Sequence, residues 1–277
     1  MTGSLIARAL RSVWRPMKQT VSKPAMRWIC GAAGVVIAVP LTLWALNPSY
    51  APGGNFDMEY WELQLPTGSP GSPTTIPSSQ LQGQNGYQDP GHHYFFTESG
   101  DGAMVMKVPG DPSDSGCVTT PNSLHCRTEL REVDPSTGSP TSWDPNAATN
   151  RMKATLAVEA ASDSSTVIGQ IHIDDSVSTK PVCELYYDGN GNISIGVEQT
   201  RSGGDEVITQ LGNVPIGQQF SYELEYYDNQ LKVAINGNFK TLSTYSLDAP
   251  KSYFKAGNYD QGTTASDVHF FALTIQH

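Results

Sequence analysis

Residues 253–261 read Tyr253-Phe254-Lys255-Ala256-Gly257-Asn258-Tyr259-Asp260-Gln261. In a β-strand, alternate side chains face opposite sides. Tyr253, Lys255, Gly257, Tyr259 and Gln261 then share one face, and Phe254, Ala256, Asn258 and Asp260 share the other. The first face carries a cation, two phenols and an amide around a glycine, a polar surface able to hold an anion against an open strip of backbone. The second begins apolar, as a core-facing side should. A structural strand with one wet face alternates in the same way, so the segment gains meaning only beside others of like construction.

Such segments recur through most of the chain. Trp61, Leu63 and Leu65 alternate before Pro66-Thr67-Gly68, and residues 68–92 then read as a long irregular connection rich in Gly, Ser, Pro and Gln. Residues 94–96 and 103–108 form two strands about the turn Ser99-Gly100-Asp101-Gly102. Further short runs cover residues 127–132, 152–160, 167–173, 184–187, 193–197, 207–211, 220–227, 232–235 and 267–275, several separated by Gly-Asn or Asp-Gly signals. More than ten short strands with scattered Gly and Pro predict an all-β domain, a β-jelly-roll sandwich of two antiparallel sheets with a concave groove.

Two of these strands resemble the first in construction. Arg127-Thr128-Glu129-Leu130-Arg131-Glu132 sets Arg127, Glu129 and Arg131 on one face, as an exposed ion-pair ladder or as an anion clamp whose carboxylate holds the two forks. In residues 167–173, Gln170 and His172 share a face opposite Ile171 and Ile173. A lone histidine in a strand is more often structural than catalytic. Cys117 and Cys126 bracket a polar loop and are expected to form a local disulfide in an exported domain. Cys183 falls within a strand and Cys30 within an apolar run, and neither is expected to pair.

The amino terminus differs in kind. Residues 1–54 hold six of the 17 basic residues and none of the 27 acidic ones, leaving 11 basic against 27 acidic, a balance of −16, for the remainder. Nucleic acid is not an expected partner of so acidic a surface. A polyanion would also be repelled unless the few cations are gathered in one place. Residues 1–27 form a basic cytosolic region or signal n-region. Residues 28–46 are nineteen residues without charge, long enough for a signal anchor, or the apolar core of a signal peptide. Cations on the N-terminal side of that run direct the rest of the chain across the membrane, so the domain is expected to be secreted or anchored to the membrane outside the cytosol. Residues 47–55 read as a Pro/Gly linker, with the folded domain at 56–277.

The three polar strands lack the usual equipment of hydrolases. No closely spaced carboxylate pair, nucleophile elbow or phosphate loop is present. In order, Arg-Thr-Glu-Leu-Arg at 127–131, Gln-Ile-His at 170–172 and the nine residues at 253–261 resemble the signature segments of polysaccharide lyase family 7, the jelly-roll alginate lyases. Trp61-Glu62-Leu63-Gln64-Leu65-Pro66 resembles that family's opening strand, and the resemblance covers residues 56–277. It implies β-elimination on an anionic 1,4-linked uronate polysaccharide by an expected monomer, without metal or organic cofactor. Catalytic roles fall to Arg127 and Gln170, which meet the charge developing on the uronate carboxylate, to Tyr259 as acid (and as base in syn geometry), and to His172 as base for the opposite C5 configuration. Lys255 or Arg131 would ease proton loss from the phenol. Arg131, Tyr253, Lys255 and Gln261 would hold neighbouring sugars, with Glu129 grouped among them as the carboxylate that sets the forks. In the family, Ile at the position of Ile171 tends to accompany activity on guluronate-containing chains. A lyase acting on glucuronan or another polyuronate, and a non-catalytic carbohydrate-binding sandwich, are the alternatives.

Overall fold

The computed structural model describes residues 45–277. The strands are β1 (Trp61–Ser69), β2 (Ser72–Ile76), β3 (Phe95–Thr97), β4 (Met104–Val108), β5 (Arg127–Glu132), β6 (Arg151–Ala160), β7 (Ser165–Ile173) and β8 (Pro181–Asp188). After these come β9 (Asn192–Val197), β10 (Val207–Asn213), β11 (Phe220–Tyr227), β12 (Gln230–Ile235), β13 (Asn238–Leu242), β14 (Ser252–Asp260) and β15 (Ser266–Gln276). They form two antiparallel sheets, one in the order β10-β9-β8-β7-β14-β5-β1-β2, the other β13-β12-β11-β6-β15-β4-β3. This is the expected sandwich.

Period-two patterning explains why the sheets stack. Along β1, Trp61, Leu63 and Leu65 are buried while Glu62 and Gln64 are partly exposed. Leu130 of β5, Ile171 and Ile173 of β7 and Phe254 of β14 join them against Leu156, Tyr222, Leu224 and Phe270 of the other sheet. Each such side chain contributes about 1.5–3 kcal/mol by leaving water. The inward polar groups of β14 are satisfied. Asn258 donates to the Met106 carbonyl at 3.0 Å and accepts from Ser266 Oγ at 2.9 Å.

The strand β14 lies between β7 and β5. Its register sets Lys255 opposite Gln170 and Arg131, Tyr253 opposite His172, and Tyr259 opposite Arg127. Segments more than 80 residues apart in sequence thus become neighbours on one sheet face.

Three local expectations are corrected. Residues 47–55 pack on the domain instead of leading away from it. Ala51 is buried and its N–H donates to Gln84 O at 2.8 Å, while Asn47 and Asn55 hydrogen bond to each other. Strand β1 runs through Pro66 to Ser69 and pairs with β2, so the supposed irregular stretch 68–92 contains a strand and the helical turn α1 (Ser78–Leu81). Pro66 is tolerated there because the β1–β2 register is irregular between Gln64 and Gly68. Strand β13 is an addition to the expected set. Asn236 and Gly237, both at positive φ, make the tight turn that folds it back on β12. Residues 1–44, with most of the apolar run, lie outside the described residues. Among those described, no helix is long and apolar enough to cross a membrane.

The Cys117–Cys126 disulfide is formed and Cys183 is free and buried, as expected. A ring closed across nine positions restricts the unfolded chain by about 2–3 kcal/mol. Reduction is expected to lower the melting temperature by roughly 5–10 °C, read by calorimetry with and without dithiothreitol. No change would mean that the loop is fixed by its other contacts.

Candidate active site

The face shared by β5, β7 and β14 lines a groove of about 540 Å³. Arg127, Glu129 and Arg131 from β5, Gln170 and His172 from β7, and Tyr253, Lys255 and Tyr259 from β14 all line it. The clamp arrangement, not the exposed ladder, is what forms. Glu129 is 1% exposed and its carboxylate is fully engaged. Oε2 takes Arg127 Nη1 at 3.0 Å and the Lys255 ammonium, and Oε1 accepts from the Gln170 amide. Burial alone would raise the Glu129 carboxyl. Lys255 and Arg127 outweigh it, and the group is held below its ordinary range. Glu129 therefore fixes three neighbours and has no oxygen to spare for a sugar.

The cations respond to the same crowding. Burial, and then the charge of Arg127, lower Lys255 to about 8. Burial, and then the charge of Lys255, lower His172 to about 4, so at neutral pH its ring is uncharged. His172 Nδ1 lies 2.8 Å from the Ile173 carbonyl oxygen. A carbonyl only accepts, so Nδ1 carries the ring hydrogen and Nε2 keeps the lone pair of a base.

Arginine stacking pairs each phenol with a cation. The Arg127 guanidinium sits 3.6 Å from the centre of the Tyr259 ring. Arg131, which the sequence suggested as a partner for Tyr259, stacks on Tyr253 at 4.3 Å instead and binds Asp175 at 2.9 Å. Asp175 also accepts from Tyr253 Oη at 3.0 Å.

Two expectations for β14 fail. Gln261 does not line the groove. It follows the last residue of the strand, and its amide donates to the carbonyls of Tyr259 and Asp260 at 3.3 Å. Gly257 is not an open strip for a ligand either. At φ +156°, an added Cβ would lie 2.6 Å from Thr128 O and 3.1 Å from the Met106 sulfur, so the missing side chain makes room for β5 and the core. Ile171 is wholly buried and touches no sugar directly.

Sequence reasoning missed the acidic end. Glu184 pairs with Gln170 across β7 and β8, and it lines the groove with Glu206. Tyr186 Oη lies 2.7 Å from Glu184 and 2.8 Å from Glu206. One phenolic hydrogen is shared between two carboxylates, which leaves their mutual repulsion only partly relieved. Burial, followed by the charge of Glu184, lifts Glu206 to about 7, and burial raises Glu184. The strand pattern showed that Glu184 and Tyr186 share a face, but not that this face continues the groove.

The alginate lyase family model, Alginate_lyase2, matches residues 56–277. A product complex of the family 7 alginate lyase A1-II′, with Phe in place of a Tyr, is 29% identical over 82% of this chain and 99% of its own, with a TM-score of 0.71. The alginate lyase PA1167 of Pseudomonas aeruginosa is 30% identical over 80% of this chain and 99% of its own, with a TM-score of 0.68. An alginate lyase from Corynebacterium sp., at 22% identity over 83% of this chain and 100% of its own, shares the fold at a TM-score of 0.67. No curated protein matches the chain. With the signature strands side by side in one groove and the family match running from Phe56 to the last residue, the chain belongs to the alginate lyases of polysaccharide lyase family 7.

Proposed function

We infer that the domain cleaves alginate, a 1,4-linked polyuronate, by β-elimination, leaving a 4,5-unsaturated uronate at the new end. One observation carries this reading. A guanidinium, an amide, a neutral imidazole and a phenol line a single groove, together with four of the domain's eleven Lys and Arg residues. Arg127, Arg131 and Lys255 stand together on β5 and β14, where they offset part of the repulsion between an acidic surface and a polyanion.

The C5 proton is weakly acidic, and its removal puts negative charge on the adjacent carboxylate. Arg127 and Gln170, both held by Glu129, are fixed donors for that charge. His172, with Nε2 free, takes the C5 proton in one configuration, and in the other Tyr259, ionised to its phenolate, takes that proton and passes it on to O4. The C5–H electron pair becomes the C4–C5 double bond, the C4–O4 bond breaks, and O4 leaves with the proton of Tyr259. Arg131, Tyr253 and Lys255 hold flanking sugars. The A1-II′ lyase with its Tyr-to-Phe change is complexed with product, and with a further His-to-Asn change it is complexed with substrate. These residue types are the ones given proton-transfer roles here.

Ultraviolet absorbance of the unsaturated product, followed on alginate and on glucuronan, tests the assignment. Signal on alginate supports it, signal on glucuronan alone reassigns the substrate, and none on either leaves a binding module. Arg127→Ala is expected to lower kcat about 100-fold, as for a lost oxyanion donor. A loss below about tenfold would make Arg127 merely structural.

The groove also predicts a pH window. As pH falls through about 4, His172 gains a proton and can no longer act as base. As pH rises through about 8, Lys255 loses the charge that holds substrate. For chains that require His172, kcat/KM is expected to hold between these values and fall on both sides. A profile still rising well above pH 8 would exclude the role of Lys255.

The same reading places the domain outside the cytosol, secreted or anchored through residues 28–46, as a monomer. The basic flank and the disulfide support export. Cell fractionation and size-exclusion chromatography test location and oligomeric state.

A further inference from the structure

The disulfide closes a loop, residues 117–126, that brings Ser123 into the groove beside Tyr259. The loop is tied at both ends. Val118 N–H donates to Pro66 O at 2.9 Å, and Asp260 N–H donates to Cys126 O at 3.1 Å. Within it, Ser123 Oγ meets four groups. It lies 3.0 Å from the His125 carbonyl oxygen, 3.1 Å from the His125 N–H, 3.4 Å from Arg127 Nη2 and 3.0 Å from Tyr259 Oη.

Three of the four contacts have a fixed direction. A carbonyl oxygen only accepts, so the contact with His125 O, when made, uses the single serine hydrogen. The His125 N–H and the guanidinium only donate. In the fourth contact either hydroxyl can be the donor, Ser123 to Tyr259 Oη or Tyr259 to Ser123 Oγ. Once Tyr259 has given up its proton, the phenolate can no longer donate. The serine hydroxyl is free to turn from His125 O towards the phenolate, beside the Arg127 guanidinium already stacked on the ring.

We propose that Ser123 is a positioning residue for the lyase reaction, holding the Tyr259 hydroxyl and then donating its own O–H to the phenolate left when O4 departs with the proton. Ser123 neither gains nor loses a proton over the cycle. The phenolate is reprotonated by the proton taken from C5 or by solvent. This rests on Tyr259 being the acid, as inferred above. A serine that only braces its loop through His125 would make the same two bonds to His125. What separates the two roles is the hydroxyl's effect on the phenolate.

The test measures kcat, KM and the pH dependence of kcat on alginate for the wild type, Ser123→Ala, Ser123→Thr and Tyr259→Phe, with the melting temperature of each. Ser123→Ala is expected to lower kcat about tenfold, the effect of one hydrogen bond to a charged group, with KM within about twofold. Its kcat maximum should move to higher pH, because the phenolate is harder to form. Ser123→Thr keeps the hydroxyl and is expected to restore both properties. An unchanged kcat or an unmoved profile in Ser123→Ala overturns the proposal, as does equal loss in the Ala and Thr variants. If Ser123→Ala does not fold, Ser123→Gly removes the same hydroxyl and repeats the test. Near-normal turnover in Tyr259→Phe would instead sink the acid assignment, whatever Ser123 does.

Discussion

Tyr259→Phe is expected to lower kcat by about 1,000-fold or more while leaving substrate affinity within a few-fold. The reason lies in the group that the substitution removes. Phenylalanine keeps the ring, so the Arg127 guanidinium 3.6 Å from its centre still has a face to stack on. The strand is undisturbed, since Tyr259 is only half-buried and its hydroxyl bonds to a loop serine and not to the core. What disappears is the one acidic hydrogen placed to reach O4, and positioned proton transfer is worth about 100- to 10,000-fold. Initial rates by product absorbance, together with binding of an alginate oligosaccharide by calorimetry, separate the two effects. Turnover within about tenfold of the wild type would remove Tyr259 from the chemistry. Equal loss of binding and rate would make it a binding residue.

Glu129→Ala is expected to be among the most destabilising single changes in the domain and to abolish activity as well. The carboxylate is 1% exposed and stands between two cations whose side chains are 9% and 10% exposed. Removing it leaves Lys255 and Arg127 facing each other in a poorly hydrated site. Breaking a buried pair in this way costs about 3–5 kcal/mol, out of a total that for most domains is about 5–15 kcal/mol. Gln170 loses its anchor at the same time, so the groups assigned to the developing charge are released together. Urea unfolding of Glu129→Ala and Glu129→Gln provides the check. The Gln variant keeps the shape and one acceptor and should lie between Ala and the wild type. A destabilisation below about 1 kcal/mol for Ala would mean that water enters the cluster and that the carboxylate is not its organiser.

The outcome for Glu129 shows where sequence reading stops. Alternation in Arg127-Thr128-Glu129-Leu130-Arg131 correctly places the three charged groups on one face. It leaves an exposed ladder and an anion clamp both open, because a strand does not record what lies beside it. The clamp appears only when β14 pairs with β5 and brings Lys255 and Tyr259 alongside. Gly257 escapes local reading for the same reason. Its lack of a side chain could serve a ligand or a neighbouring strand, and only the approach of Thr128 decides for the strand. The acidic end stays hidden because Glu184 and Glu206 lie 22 positions apart and meet only through β8, β9 and β10.

By itself the sequence determined the class of fold, the facing of most strand residues, the local disulfide and the residue types that the three polar strands bring to the groove. Each of these depends on neighbours a few positions away, through the two-residue period, a turn or a short loop. Tertiary structure alone decided which strands are adjacent, which arginine stacks on which tyrosine, and that Gln261 falls outside the groove while Ser123 falls inside it. Those choices rest on hydrogen bonds between strands remote in the chain and on the burial that shifts Lys255 and His172, and no local pattern encodes either.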